Sequence, residues 1–373
     1  MKYYLIAGET SGDLHGANLI RALKKEDPAA EFRFLGGDAM EAESGKKAVI
    51  HSSAMSFMGF VEVLANLFTI LGNIKKVKKD LIENRPDALI LIDFPGFNLK
   101  IADFAKKEDI KIFYYISPKV WAWNQKRVLK IKRVVDHMFC ILPFEVDFYK
   151  KWGMYIDYVG NPLLDAINRY VPDPAFRENN RLGSKPIIAL LPGSRKMEIS
   201  KLLPLMATLP KSFPAFQFVI AGAPGFSETF YQSFFNQGKI TVVFNRTYDL
   251  LKNAEAAIVA SGTATLETAL FHVPQVVVYK ANALSIWIAK KVIKVNYISL
   301  VNLIMNVPVV RELIQDEYNE ELVKEELQRL LNNEAYRNNM LQNYKALDNK
   351  MGEVGASERT AKLIQHYLST NLT

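Results

Sequence analysis

One cysteine, Cys140, stands in a chain of 373 residues. It allows no internal disulfide and offers no cysteine partner for a metal site. Its apolar setting, Met138-Phe-Cys-Ile-Leu142, predicts a buried, inert thiol in a reducing compartment. Asp-x-Asp pairs are absent, and His15, His51, His137, His272 and His366 show neither His-x-His nor Cys/His spacing. Both absences argue against metal-dependent phosphate or sugar transfer, so neither a metal nor a cofactor is expected. The most apolar stretch, residues 55–71, falls short of the roughly 20 residues that span a bilayer. No block of like charge is long enough to read as a nucleic-acid tail and no nucleic-acid-binding signature occurs, so nucleic acid is not an expected partner. Gly8, Gly12 and Gly16 depart from Gly-x-Gly-x-x-Gly, which argues against hydride transfer. No signal peptide precedes the first expected strand at Lys2, so a cytoplasmic protein is expected.

What is present begins with charge. Lys and Arg number 47 against 39 Asp and Glu, a net charge of +8, which fits an anionic partner such as a nucleotide or an acidic membrane surface. At roughly 100–200 residues per domain, the length predicts two domains. Apolar runs bounded by turn residues predict strands at 2–7, 32–35, 88–93, 111–117, 138–142 and 155–159. A second set falls at 187–191, 217–221, 240–244, 256–260 and 275–279. Helical segments fill the gaps, notably about 17–25, 97–107, 124–134 and 144–152, the alternation of a parallel sheet covered on both faces. A Pro-rich polar stretch, 161–186, reads as the connection between domains. The fold class is therefore α/β, with two Rossmann-like parallel-sheet domains facing a cleft. Domain limits are expected at 1–165 and 166–330. The helices of 331–373 have no sheet of their own and must dock on the first domain or, in a homodimer, on a partner subunit.

Residues 55–81 form a separate feature. Phe57, Phe60, Val61, Leu64, Leu67, Phe68, Leu71, Ile74 and Leu81 recur at helical period, the pattern of a core stripe. Met55, Met58, Val63 and Ile70 lie off that stripe, and Lys75, Lys76, Lys78 and Lys79 follow. Surplus apolar surface beside a basic cluster is the composition of an interfacial helix. A helix wholly in the core is the alternative reading.

Three loops carry groups suited to chemistry. Asp93 ends an apolar strand, before Phe94-Pro95-Gly96-Phe97-Asn98, and ligands of open parallel sheets sit at the carboxyl ends of strands. A carboxylate there suits a general base, whereas a plain N-cap for the following helix is the alternative. Gly193, Ser194 and Arg195 combine a close backbone approach, a hydroxyl and a guanidinium able to grip phosphate bidentately. Ser261, Gly262 and Thr263 open a helix whose N–H groups suit a diphosphate, and Glu267, one turn in, could accept two ribose hydroxyls. An ordinary turn and an ordinary capped helix are the alternatives. A first glycine-spaced turn, with Glu9, Ser11, Gly12, Asp13 and Gly16, follows the opening strand and suits an anion in the same way.

These segments resemble the lipid-A-disaccharide synthase family. The likeness lies in Gly8-Glu-Thr-Ser-Gly-Asp-Leu-His-Gly16, Met58-Gly-Phe-Val-Glu-Val63, Ile92-Asp-Phe-Pro-Gly-Phe-Asn98 and Ser117-Pro-Lys-Val-Trp-Ala-Trp123. It continues in Leu191-Pro-Gly-Ser-Arg195, Ala260-Ser-Gly-Thr-Ala264 and Tyr297-Ile-Ser-Leu-Val-Asn-Leu303, in the family's order. The resemblance implies an inverting, metal-independent glycosyltransferase of the B type. It would join UDP-2,3-diacylglucosamine to 2,3-diacylglucosamine 1-phosphate (lipid X) in a β(1→6) link, releasing UDP. It implies Asp93 as base, with Arg195, Ser261, Gly262, Thr263, Glu267 and Asn302 on the UDP-sugar side. It also implies that Met55, Met58, Val63, Ile70, Lys75 and Lys76 face acyl chains or the cytoplasmic side of the inner membrane. Two positions depart from the usual family pattern: Gly96 stands where many relatives carry a second aspartate, and Asn161 where many carry a histidine. Alternatives of similar fold are a UDP-N-acetylglucosamine 2-epimerase, a polyprenyl-lipid N-acetylglucosaminyl transferase, or a non-catalytic UDP-sugar-binding membrane adaptor. UDP release from the acylated pair separates them.

Overall fold

A computed structural model describes residues 1–55, 67–235, 240–282 and 295–370. Met58 and Val63 lie outside them. The chain divides into two compact units, one formed by Met1–Asp165 with Glu353–Thr373, the other by Ala166–Gly352.

The first unit holds seven parallel strands: β1 (Lys2–Ala7), β2 (Glu31–Gly36), β3 (Ile50–His51), β4 (Ala88–Ile92), β5 (Lys111–Tyr115), β6 (His137–Cys140) and β7 (Asp157–Tyr158). Their order is β3-β2-β1-β4-β5-β6-β7. Side chains alternate across the pleat, so β1 sends Tyr4 and Ile6 into one core and Tyr3, Leu5 and Ala7 into the other. Burial on both faces is why the central strands are continuous apolar runs; all five residues of β4 are buried.

The second unit holds β8 (Ile187–Leu191), β9 (Gln217–Gly222), β10 (Thr241–Phe244), β11 (Ala254–Ala260), β12 (Gln275–Tyr279) and β13 (Glu312–Ile314), in the order β10-β9-β8-β11-β12-β13. β3 and β13 were not expected, because two or three residues show no period.

The expected limit at residue 330 falls inside the helix Glu320–Asn332, and the second unit runs on to Gly352. The reason is packing: Val323 and Leu327 lie in the core of this unit, and the buried Gln275 amide of β12 donates to Tyr344 of the helix Glu334–Met351 at 3.2 Å. The last helix, Ala356–Ser369, belongs to the first unit instead. Its Ala361, Ile364 and Leu368 join the core beside Leu19, Ile20 and Leu23 of the helix Thr10–Glu26. Asp165 accepts the Gly355 and Ala356 N–H groups at its start, and Arg359 donates to the Val159 carbonyl at 2.9 Å.

The stretch 161–186 also differs from a free connector. It contains the helices Pro162–Asn168 and Phe176–Asn179, and Phe176 is buried in a core of the second unit. Asp249 fixes it by accepting the Asp173 N–H at 2.9 Å and the Tyr170 hydroxyl.

Candidate active site

In each unit the strand order reverses once. β1 is followed by β2 on one side and by β4 on the other; β8 is followed by β9 on one side and by β11 on the other. Loops leaving the carboxyl ends of such a strand pair diverge, and the crevice between them is where open α/β sheets bind ligands. Asp93 leaves β4 and the Gly8–Glu9 turn leaves β1, so both stand at the first crevice. Gly193–Arg195 leaves β8 and Ser261–Thr263 leaves β11, so both stand at the second.

Asp93 sits in unusual backbone. Asp93 and Phe94 have φ of +43° and +48°, and Ile116, which follows β5, has +65°. Each non-glycine residue in this region costs on the order of 1 kcal/mol and needs surroundings that hold it. Here the Asp93 N–H donates to Tyr115 O at 3.2 Å, and its carbonyl accepts from Asn98 Nδ2 at 2.7 Å and the Tyr114 hydroxyl at 2.5 Å. Phe94, not Asp93, occupies the N-cap of the helix Pro95–Lys107, and that end has no side-chain cap. The capping alternative for Asp93 is therefore excluded. Burial raises the Asp93 pKa above the usual carboxylate range, Glu9 adds to the rise, and Lys119 and the Phe94 N–H oppose it. A half-buried carboxyl of raised proton affinity at a strand end has the properties of a general base.

The first glycine turn serves packing. A Cβ on Gly8 would lie 2.4 Å from the Phe94 ring, one on Gly12 3.3 Å from Ala7 Cβ, and one on Gly16 2.5 Å from Met40 Sδ. Asp13 is buried and accepts the N–H groups of Gly37, Ala39 and Met40 at 2.7, 2.9 and 3.1 Å. These contacts correct the ligand reading of Gly12, Asp13 and Gly16: Gly12 seats the helix Thr10–Glu26 on β1, and Asp13 and Gly16 join it to the helix Asp38–Ser44. Glu9 is half-buried and Ser11 exposed, and those two remain open to a ligand.

At the second crevice Gly193 has φ +105°, and a Cβ there would come within 2.6 Å of Glu198 Oε2. Glycine alone fits. Ser194 is exposed, and the Arg195 side chain, 63% exposed, pairs with Glu198 at 3.3 Å. Gly262 is the N-cap of the helix Thr263–Leu270 and has no side chain to occupy its first-turn N–H groups. Thr263 is exposed there, while the Ser261 hydroxyl donates to Ile298 O at 2.9 Å. Glu267 accepts the Tyr248 hydroxyl at 3.1 Å, and burial raises its pKa.

Asn302 is corrected. It is buried, its Nδ2 donates to Val310 O at 2.8 Å and Glu312 Oε1 at 2.9 Å, and its Oδ1 accepts the Val310 N–H at 2.9 Å. With both donors engaged it ties the helix Leu300–Met305 to β13 rather than to a ligand. Asn161 is structural in the same way, bonding Ile141 O and the Leu163 N–H, and Gly96 is open, with nothing within 4 Å of a Cβ.

The membrane-face assignment changes as well. Met55 is 2% exposed and Ile70 packs against the core, so neither forms a free apolar face. In the helix Leu67–Asn84 the buried line runs through Ile74, Val77 and Leu81, which turns Leu67, Phe68 and Leu71 outward at 40%, 87% and 42% exposure. Lys75 and Lys76 are exposed beside them. Among the described residues no helix is long and apolar enough to cross a membrane, and no group of three or more His, Cys, Asp or Glu could hold a metal ion. Sequence reading gave no role to Tyr114 in β5 or to Lys119 in the turn after it, although Lys119 lies within the segment Ser117–Trp123 that carries the family resemblance.

Two parallel-sheet α/β units, each with polar groups at its own switch point, define a protein of the B-type glycosyltransferase and epimerase fold class. Among solved structures, the UDP-GlcNAc 2-epimerase of Neisseria meningitidis bound to UDP-GlcNAc matches with a TM-score of 0.68 at 12% identity, covering 98% of this chain and 100% of that one. The glycotransferase of kitacinnamycin matches at 0.66 and 13%, covering 98% and 99%. At such identities the likeness concerns fold alone. The sequence is more specific. The family described as lipid-A-disaccharide synthetase matches residues 3–365. The lipid-A-disaccharide synthase of Trichlorobacter lovleyi is 41% identical over 96% of both chains, and that of Coxiella burnetii (strain CbuG_Q212) 37% over 98% of both. The chain belongs to the lipid-A-disaccharide synthase family and is a glycosyltransferase.

Proposed function

We propose that the chain joins UDP-2,3-diacylglucosamine to 2,3-diacylglucosamine 1-phosphate, forming the β(1→6) disaccharide 1-phosphate and UDP. The observation that carries this reading is Asp93: a carboxyl of raised proton affinity, held in left-handed backbone at a switch point, in a chain that matches the family over residues 3–365. Asp93 takes the proton of the acceptor hydroxyl as its oxygen bonds to the anomeric carbon. The bond from that carbon to the diphosphate breaks, its electron pair leaves with UDP, and one displacement inverts the centre. Arg195 and the first-turn N–H groups of the helix Thr263–Leu270 receive the charge that develops on UDP. Ser194 and Thr263 add hydroxyls at the diphosphate, and Glu267 takes the ribose hydroxyls on exchanging its bond to Tyr248.

Leu67, Phe68 and Leu71, with Lys75 and Lys76, form the surface that meets the cytoplasmic face of the inner membrane, where acylated substrates reside. The test is UDP release by purified protein from the acylated donor and acceptor, in chelator and without added divalent metal. Release that requires both sugars supports the reading. UDP formed without the acceptor, or none from the pair, refutes it.

A further inference from the structure

Glu145 is a carboxyl group with no part in the reaction above, yet it is only 1% exposed. It lies in the helix Phe144–Lys150, which follows β6. Burying a carboxyl costs several kcal/mol unless donors compensate. Here the donors are specific: Trp121 Nε1 reaches Oε1 at 3.1 Å, and the Leu142 N–H reaches Oε2 at 3.1 Å. The Trp121 ring also packs edge-on against Phe144, with centroids 4.9 Å apart. Just upstream, the Ser117 hydroxyl lies 2.9 Å from the Tyr149 hydroxyl of the same helix. The turn after β5 is thus pinned at Ser117 and at Trp121 to one helix. Between the pins stand Pro118, Lys119 and Val120, and only Lys119 is exposed. The turn leaves β5 where that strand pairs with the end of β4, Ile92 opposite Tyr115 and the Asp93 N–H on Tyr115 O at 3.2 Å, and the Lys119 charge favours the Asp93 carboxylate, opposing Glu9.

We propose that Glu145 is a positioning residue: through Trp121 it holds the turn that keeps the Lys119 ammonium beside the base. The proposal rests on Asp93 being that base. An ammonium at this place favours the ionised carboxylate that must accept the acceptor's proton. The charged and titratable groups facing Asp93 are Lys119, Glu9 and Tyr114; those facing Glu145 are Tyr149, Cys140 and Tyr158.

The experiment is the pH profile of kcat/KM for the parent, Asp93→Asn, Lys119→Met, Glu145→Gln, Trp121→Phe and the double variant Lys119→Met/Glu145→Gln. Glutamine offers one acceptor oxygen to two donors, so it leaves one donor unpaired. Phenylalanine keeps an aromatic ring and removes only the Nε1 donor, so it carries the test if the glutamine variant does not fold. Asp93→Asn loses the acid limb. Lys119→Met, Glu145→Gln and Trp121→Phe each move that limb to higher pH, lowering kcat/KM on the acid side by up to about tenfold. The double variant moves it no further than Lys119→Met alone, because both changes remove the same ammonium from the same place. An acid limb that survives in Asp93→Asn overturns the base assignment, and this proposal with it. A limb lost in Asp93→Asn but unmoved in Glu145→Gln and Trp121→Phe, or additive shifts in the double variant, overturns the proposal alone.

Discussion

Replacing Leu67, Phe68 and Leu71 together with serine removes the outward apolar face of the helix Leu67–Asn84 and leaves its buried line intact. Exposures of 40%, 87% and 42% leave apolar surface equal to between one and two whole side chains. At roughly 1.5–3 kcal/mol per side chain transferred from water, that surface contributes about 3–5 kcal/mol to membrane binding. Immersion at a headgroup boundary is partial, so the lower figure applies, and the triple variant should bind anionic vesicles about 10²-fold more weakly. The cost to the fold is about 1 kcal/mol, from helix propensity alone. Leu81→Ala, on the buried line, should do the opposite, costing about 2–5 kcal/mol of stability while the folded protein binds vesicles like the parent. Vesicle sedimentation at two salt concentrations, beside thermal melts, separates the two. Lys75 and Lys76 contribute roughly 1 kcal/mol each at low ionic strength, so high salt weakens parent binding further. A triple variant that sediments with vesicles like the parent refutes the membrane face.

Asp93→Asn should keep the fold and UDP binding while lowering kcat by about 10²-fold or more, the usual scale for loss of a general base; parent-like turnover removes that role. Arg195→Ala and Glu267→Ala should both weaken UDP binding by calorimetry, and only the arginine change should also slow the chemical step, because leaving-group charge peaks in the transition state. Unchanged UDP affinity in both takes the second unit out of donor binding. Glu145 should leave a signature in the pH dependence of stability. Burial raises its pKa from 4.5 to about 7, so across that window the folded state keeps a proton that the unfolded chain has released. Stability from this group is therefore fully present below pH 4.5 and falls as pH rises towards 7, by on the order of 2–3 kcal/mol. Denaturant melts of Glu145→Gln should lack that decline; a parent-like slope in the variant shows that another group causes it.

Several elements were legible from residues alone because their cause is local. A run such as Ala88–Ile92 or Ile187–Leu191 is apolar throughout, which suits only a strand covered on both faces. The loop after such a run carries its ligand-facing groups at the strand's carboxyl end, which is how Asp93, Gly193 and Ser261 stood out. The phase of the helix Leu67–Asn84 was not legible in the same way. Leu67, Phe68 and Leu71 compete there with Ile70, Ile74 and Val77, and period alone does not rank one apolar line above another. Asn302 entered through the family resemblance and Asp13 through its place in the first glycine turn, and neither signal shows that hydrogen bonds within the fold already engage both side chains.

By itself the sequence determined the two α/β units, the strand-end position of Asp93 and of the Gly193 and Ser261 turns, and the family, since each follows from neighbouring residues. Tertiary structure decided the rest. Strand order creates the switch points by pairing β1 with β4 and β8 with β11, segments far apart in the chain. Packing against the sheet chose which helix face meets solvent. The buried contact between Glu145 and Trp121 brought a carboxyl with no motif of its own to the turn beside Asp93, because burial and hydrogen-bond partnership are properties of position in space and have no local pattern to betray them.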